Sequence, residues 1–385
     1  MWIGACTSSI GTWMQIVAQS WLIYSLSNSS FLLGLNEVLG GLPIFLFSLI
    51  GGVVSDRMER RRVLMLSQYI QMICAFLLTA LVALHVVKVW EILTLTFISG
   101  LGPAFGSSAY SALVPTLVNK EDIPNAIALN SIQFNAAVMV GPALAGIALA
   151  KFGSVWCFFL NGVSFVAPVI ALYMLTVRFA PQKTDKSIAA SMREGFAFIG
   201  TQGAMVALIG LAFAMAFLAV PMRTLLPVFA KNIFHRGAET YAMFLSVMGS
   251  GSIVGSLIVA AMGNVHNKGR VALLTLISLG AGIAGLALSH NIPFTCSMLF
   301  LSGASMMAVF ASVNSLVQLI VSNDMRGRVM SVYNFAFRGG MGLGNLAAGS
   351  LVPIFTAPAV LGVNGFALVG LGIYFLLFQR RVAAL

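Results

Sequence analysis

Twelve long apolar runs dominate this sequence and leave few folds open to it. They span 2–25, 31–54, 63–84, 90–114, 127–150, 154–177, 204–226, 240–262, 270–289, 292–319, 328–353 and 357–379. A helix needs about 20 mostly apolar residues to cross the hydrocarbon. A membrane β-barrel shows short alternating segments instead, and these runs are unbroken and too long for that. Composition agrees, since 59% of the 385 residues are hydrophobic and only 8% are charged, against about 25% charged in soluble domains. The sequence therefore predicts an all-α membrane protein of twelve transmembrane helices.

Charge placement sets the orientation and excludes several functions. Cytoplasmic loops are the basic ones. Fifteen Lys and Arg fall at even-to-odd junctions and the C-terminus, four fall on the other side, and Arg223 and Arg338 lie within spans. Both termini are thus expected in the cytoplasm, in a bacterial inner membrane, with lipid as a partner. The net charge of +11 does not indicate nucleic acid, because the basic residues sit singly or in short clusters between apolar runs. No basic flank precedes the first run, so it does not read as a signal peptide. Cys6, Cys74, Cys157 and Cys296 form no CxxC pair, which gives no metal or disulfide framework. The four histidines are dispersed, and no Walker loop occurs. No enzyme, metal or cofactor is expected, and an ion gradient is the expected energy source.

The longest polar connection divides the chain into 1–177, a cytoplasmic linker 178–203, and 204–385. Each half carries six spans. Sliding the chain by 203 residues lays 113–146 on 316–349 without a gap, with seven of 34 positions identical. Two parallel six-helix repeats predict pseudo-symmetric bundles with a substrate site near the midplane.

The densest charge lies in GGVVSDRMERRRVL, residues 51–64. Gly52 permits close backbone approach, and Asp56 ends the second span where it can pair with a cation and hold the inner side shut. The arginines also suit anionic headgroups, and a plain positive-inside anchor is the alternative. In this position Gly52, Asp56, Arg57, Arg60 and Arg61 resemble the signature of the major facilitator superfamily, which usually has Gly where this chain has Glu59. The resemblance implies that family's twelve-helix fold and alternating access. VGPALAG at 140–146 resembles the Gly-Pro-x-x-Gly-Gly element of superfamily antiporters, with Gly141, Pro142 and Gly146 in place; this implies export in exchange for protons. Physically, Pro142 favours a kink, and the small residues permit close helix contact. A finer likeness, carried by 11–26, 117–131 and 326–349, is to the subgroup of enterobactin-type siderophore exporters and macrolide efflux proteins. Ser108, Ala109 and Tyr110 replace that subgroup's Pro-Ala-Arg, so no role of its Arg is carried over. The short polar leader usual there is missing, which implies a truncated start.

Charged groups inside a bilayer are costly and face a cavity or a partner. Arg338 lies about 15 Å above Arg328 at 1.5 Å per residue, and its repeat mate is Asn135. It suits an anionic substrate group or a buried acid. Glu37 lies about 28 Å from Asp56, and Arg223 lies at a matching depth of roughly 30 Å. A Glu37–Arg223 pair is the expectation, with snorkelling of Glu37 to outer water the alternative. Burial favours the protonated carboxyl and an adjacent cation the ionised one, a competition that suits a proton switch. Ser8, Thr12, Gln15 and Gln19 share one face of the first span, with Trp13 beside them, and the tenth span offers Ser305 and Asn314. In the superfamily these spans line the cavity, so these residues are candidate substrate contacts; interhelical hydrogen bonding is the alternative.

The expectation is a monomeric secondary exporter for an amphipathic small molecule, a siderophore or drug. The rivals are an importer or facilitator, and a non-transporting receptor or scaffold on the same fold.

Overall fold

The computed structural model describes residues 1–113, 116–175, 194, 196–200, 202–262, 267–322 and 325–378, without the side chains at 48–57, 112, 120, 124, 135 and 262. The described residues are almost wholly helical. In chain order the helices are α1 Trp2–Ser27, α2 Ser30–Arg57, α3 Arg60–Ala83, α4 Val89–Leu113, α5 Ile123–Phe152, α6 Ser154–Ser164 and α7 Val166–Tyr173. There follow α8 Gly203–Ala219, α9 Pro221–Val228, α10 Ala238–Met262, α11 Lys268–Ala287, α12 Ile292–Ile320, α13 Arg326–Phe355 and α14 Ala357–Leu377. Ten helical stretches are long and apolar enough to cross a membrane. The other two passes are α1 and α13, long enough at 26 and 30 residues. They fall short in apolarity because α1 carries Gln15 and Gln19, and α13 carries Arg326, Arg328, Asn334 and Arg338.

Two of the twelve runs are broken, both at proline. The run 154–177 divides at Phe165, three residues before Pro168. Proline cannot donate to the carbonyl four residues back, and its ring crowds that carbonyl, here that of Ser164. The run 204–226 divides at Val220 before Pro221 and extends further than expected, through a π-helical turn at Phe229–Ile233.

The repeat at 203 is present in the backbone. Helix α5 starts at 123 and ends at 152, and α13 starts at 326 and ends at 355; both differences are 203. Helices α4 and α12 start 203 apart, at Val89 and Ile292, as do α6 and α14, at Ser154 and Ala357. The connecting residues repeat as well. Gly153 has φ 79° and Thr356, its mate, has φ 74°. A β-branched residue rarely adopts this left-handed region, so the junction between α13 and α14 imposes on Thr356 what Gly153 accepts freely.

The chain forms two compact units, Met1–Asp185 with Gly237–Met243, and Lys186–Arg236 with Phe244–Leu385. In the first, α1 packs against α5, α6 and α7, α2 against α4, and α3 against α4 and α6. The first turns of α10 belong to it: Tyr241 stacks on Trp21 with centroids 6.2 Å apart, and Gly146 faces Ala242. Trp90 and Trp156 are exposed at helix ends, as interfacial aromatics are. In the second unit α11 packs on α12 and α14, and α8 on α13. Paired glycines close the contacts of α10 with α12 and of α8 with α13. A methyl on Gly251 or Gly255 would overlap the carbonyl oxygens of Phe300 and Ala304 on α12, and Gly340 and Gly344 meet Phe213 and Phe217 of α8. All four of these close contacts lie inside the second unit. The linker expected at 178–203 lies mostly outside the described residues, but Glu194 and 196–200 are helical, and Glu194 pairs with Arg328.

Candidate functional site

The charged stretch joins α2 to α3 without glycine. Glu59 occupies the position before α3 with φ −59° and ψ 115°, a conformation open to any residue, so the family's usual Gly is not required by this turn. Arg62 pairs with Glu59 at 2.9 Å on the surface, where ion pairs contribute little. Arg61 does more. Its Nη1 donates to the Leu175 carbonyl at 2.9 Å and its Nη2 to the Tyr173 carbonyl at 3.1 Å, and the guanidinium lies 5.9 Å from the Tyr173 ring centroid. The last carbonyls of a helix lack intrahelical partners and carry partial negative charge. Arg61 therefore clamps the C-terminal end of α7 to α3. Arg60 is also partnered. The side chains of Gly52, Asp56 and Arg57 lie outside the described set.

The stripe on α1 divides by depth. Gln19 is buried, and its Nε2 donates to Asn36 Oδ1 at 2.8 Å and to Thr96 Oγ1 at 2.7 Å. Gln15 Nε2 donates to Gln19 Oε1 at 3.3 Å, while Gln15 Oε1 accepts from Asn161 Nδ2 at 2.6 Å. These bonds tie α1 to α2, α4 and α6, so the two amides face the bundle interior. Thr12 donates to the Ser8 carbonyl at 2.8 Å, and Trp13 meets Phe134 edge-on at 6.3 Å. Gly141 makes room for Trp13, since a methyl there would lie 2.5 Å from Trp13 Cβ; this is the close contact expected of the 140–146 segment, made within the unit. Pro142 is buried inside α5.

Gln19→Leu should lower stability by about 2–3 kcal/mol, because three amide bonds disappear and intramembrane hydrogen bonds contribute roughly 0.6 kcal/mol on average and at most about 1.7. A melting curve in detergent measures this, and Thr12→Val should leave it nearly unchanged. An unaltered midpoint for Gln19→Leu would remove the clasp from the account.

Ser8 lines a cavity of about 220 Å³ within the first unit, together with Ala5, Ser9, Gln68, Tyr110 and Gln133. Gln133 Nε2 donates to the Ala5 carbonyl at 3.1 Å and to Ser9 Oγ at 2.8 Å, which holds α5 to α1. The amide oxygens of Gln133 and Gln68 are buried without a hydrogen-bond partner. These polar groups share the wall with Leu64, Pro168 and Leu172, and no charged side chain lines it.

In the second unit, Ser305 is buried and donates to Ser278 Oγ at 2.9 Å, and Asn314 accepts from Gln318 Nε2 at 2.5 Å. Thr224 donates to Asn345 at 3.0 Å, joining α9 to α13. Arg338 is different. It is exposed on α13 and has no hydrogen bond or ion pair with the described residues. Ser331 and Asn334 are exposed on the same face. The side chain of Asn135 lies outside the described set. Glu37 and Arg223 both have partners and belong to different units.

The family profile described as transmembrane secretion effector matches residues 1–384. The chain belongs to this family. Among relatives of this transmembrane secretion effector, the enterobactin exporter EntS of Citrobacter koseri is 25% identical over 370 residues, covering 92% of this chain and 85% of that one. The multidrug efflux pump Tap of Mycolicibacterium fortuitum is 24% identical over 358 residues, covering 90% and 87%. Two solved structures share the fold. The nucleoside transporter NupG superposes with a TM-score of 0.75 at 15% identity, covering 97% of each chain. A POT family transporter with 5-aminolevulinic acid gives 0.74 at 12%, covering 98% of this chain and 96% of that one. The secretion effector is thus a major facilitator superfamily transporter and a multi-pass membrane protein, not an enzyme.

Sequence reasoning missed Asn36, Thr96 and Asn161 in the clasp, Gln68 and Gln133 at the cavity, and Ser331 and Asn334 beside Arg338. The last two carry a readable signal, spacings of seven and four residues before Arg338. The others sit singly in apolar runs and are found only through the partners that the fold brings to them.

Proposed function

We propose that this protein is a secondary exporter that carries an amphipathic small molecule, a siderophore or drug, out of the cytoplasm in exchange for protons. It works by alternating access, as a monomer in a bacterial inner membrane with both termini cytoplasmic. The observation that carries the reading is the family match over 1–384, with relatives matched over most of their length that are an enterobactin exporter and a multidrug efflux pump. Proton coupling is assigned to Glu37, with Arg223 as its counter-charge, on their matching depths. The signature residues Gly52, Asp56, Arg57, Arg60 and Arg61 are assigned to gating, and Arg61 adds the clamp on α7. Gly141, Pro142 and Gly146 are assigned to the same movement. Thr12, Trp13, Asn135, Asn314 and Arg338 remain the candidates for substrate contact; Ser8, Gln15, Gln19 and Ser305 support the bundles.

Everted inner-membrane vesicles test the direction. In them the lumen stands for the periplasm, so acidifying the lumen should drive enterobactin or an amphipathic dye inward, and a protonophore should abolish the gradient-driven part. Accumulation only in right-side-out vesicles would reverse the assignment.

A further inference from the structure

We infer that Arg338, with Asn334 beside it, is a recognition site for an oxyanion of the transported molecule, a carboxylate or phenolate attached to an aromatic body. The inference rests on the transporter reading. Arg338 is 12 residues from Arg326 and 17 from Phe355 at the ends of α13, about 18 and 25 Å at the helical rise. Neither end is within reach of a snorkelling side chain. A guanidinium at such depth must face water, a protein partner or a ligand, and no described residue pairs with it.

The face it occupies is not the lipid face. At about 100° per residue, Ser331 and Asn334 fall within roughly 40° of Arg338, while Leu343 and Ile354 fall about 140–160° away. Leu343 and Ile354 are 56% and 71% exposed, so the apolar, open side of α13 is opposite the polar one. Ser331 donates to the Gly327 carbonyl at 2.9 Å, whereas the Asn334 amide has no hydrogen bond among the described residues. Phe335, 43% exposed, lies on the next turn of the same side.

A planar guanidinium offers paired N–H donors that match two oxyanion oxygens, Asn334 adds a donor, and Phe335 offers an aromatic surface. Cations have no acceptor at Arg338 and meet its charge, so the site selects against them.

The test is equilibrium binding of naphthoate, naphthamide and naphthamidine to the purified full chain in detergent. The three share a shape and differ in charge. Naphthoate should bind about tenfold or more tightly than naphthamide, the range for a hydrogen bond to a charged group, and naphthamidine should bind most weakly. Arg338→Gln should remove the preference. Arg338→Lys should keep part of it, since charge remains and the fork is lost. Equal binding of the three to wild-type protein, no binding of any, or an undiminished preference in Arg338→Gln would each overturn the inference. The wild-type series decides it even if the glutamine variant fails to fold. Binding needs no transport, so efflux without an anion preference defeats this inference alone, and an anion preference without efflux defeats the exporter reading alone.

Discussion

Gly255→Leu is expected to leave almost no folded protein in the membrane. Added side-chain atoms at Gly255 would overlap the backbone carbonyl of Ala304, and the same holds at Gly251 against Phe300 and at Gly303 against Met248. These three contacts bring α10 and α12 together along about two turns of α10 and one turn of α12. Backbone meets backbone on both sides, so no side-chain rotation relieves the overlap, and the helices must part. Overpacking a core costs about 1–3 kcal/mol where side chains can shift and more where they cannot, against a total stability of about 5–15 kcal/mol. The yield of monodisperse protein after detergent extraction measures the effect. Gly210→Ala is the control: nothing lies within 4 Å of its added methyl, and alanine in a helix is better than glycine by roughly 0.5–1 kcal/mol. A leucine variant that melts where the wild type does would mean that the two helices are not packed as described.

Glu37→Gln is expected to abolish efflux driven by a pH gradient while leaving substrate exchange across the membrane intact. Glutamine keeps the size and hydrogen-bonding reach of the side chain but holds no titratable proton. The neighbouring Asn36 is 94% buried, at 6% exposure, and its Oδ1 accepts from Gln19 and Thr96 at 2.8 and 2.9 Å. That clasp fixes the turn of α2 on which Glu37 stands, so the substitution changes charge on a rigid support. Proteoliposomes loaded with substrate, compared with and without an imposed gradient, separate the two activities. Gradient-driven efflux at the wild-type rate in the glutamine variant would remove Glu37 from coupling.

Particular elements show where sequence reading succeeds. The ends of α4, α5 and α12 to α14 lie within a few residues of the apolar runs that predicted them, because hydrophobic length and flanking charge act locally. The repeat was visible as seven identities in 34 positions and is plainer in the matched ends of α5 and α13. Pro168 and Pro221 were visible too, but a proline in an apolar run leaves a helix bent or broken according to what its neighbours supply. The turn at Glu59 shows the limit of a motif, since a non-glycine residue meets its geometry at no conformational strain.

The sequence by itself determined that this chain crosses the membrane in two sets of six helices, because the cost of unpaired backbone groups in lipid leaves no other fold for runs this long and apolar. It could not determine which way the polar side chains on those helices turn. In an apolar chain a Gln on one helical face reads alike whether it meets water or a partner helix. Packing decided between them: Gln15 and Gln19 found Asn36, Thr96 and Asn161 and turned inward, while Arg338 found no partner among the described residues and stands exposed on α13.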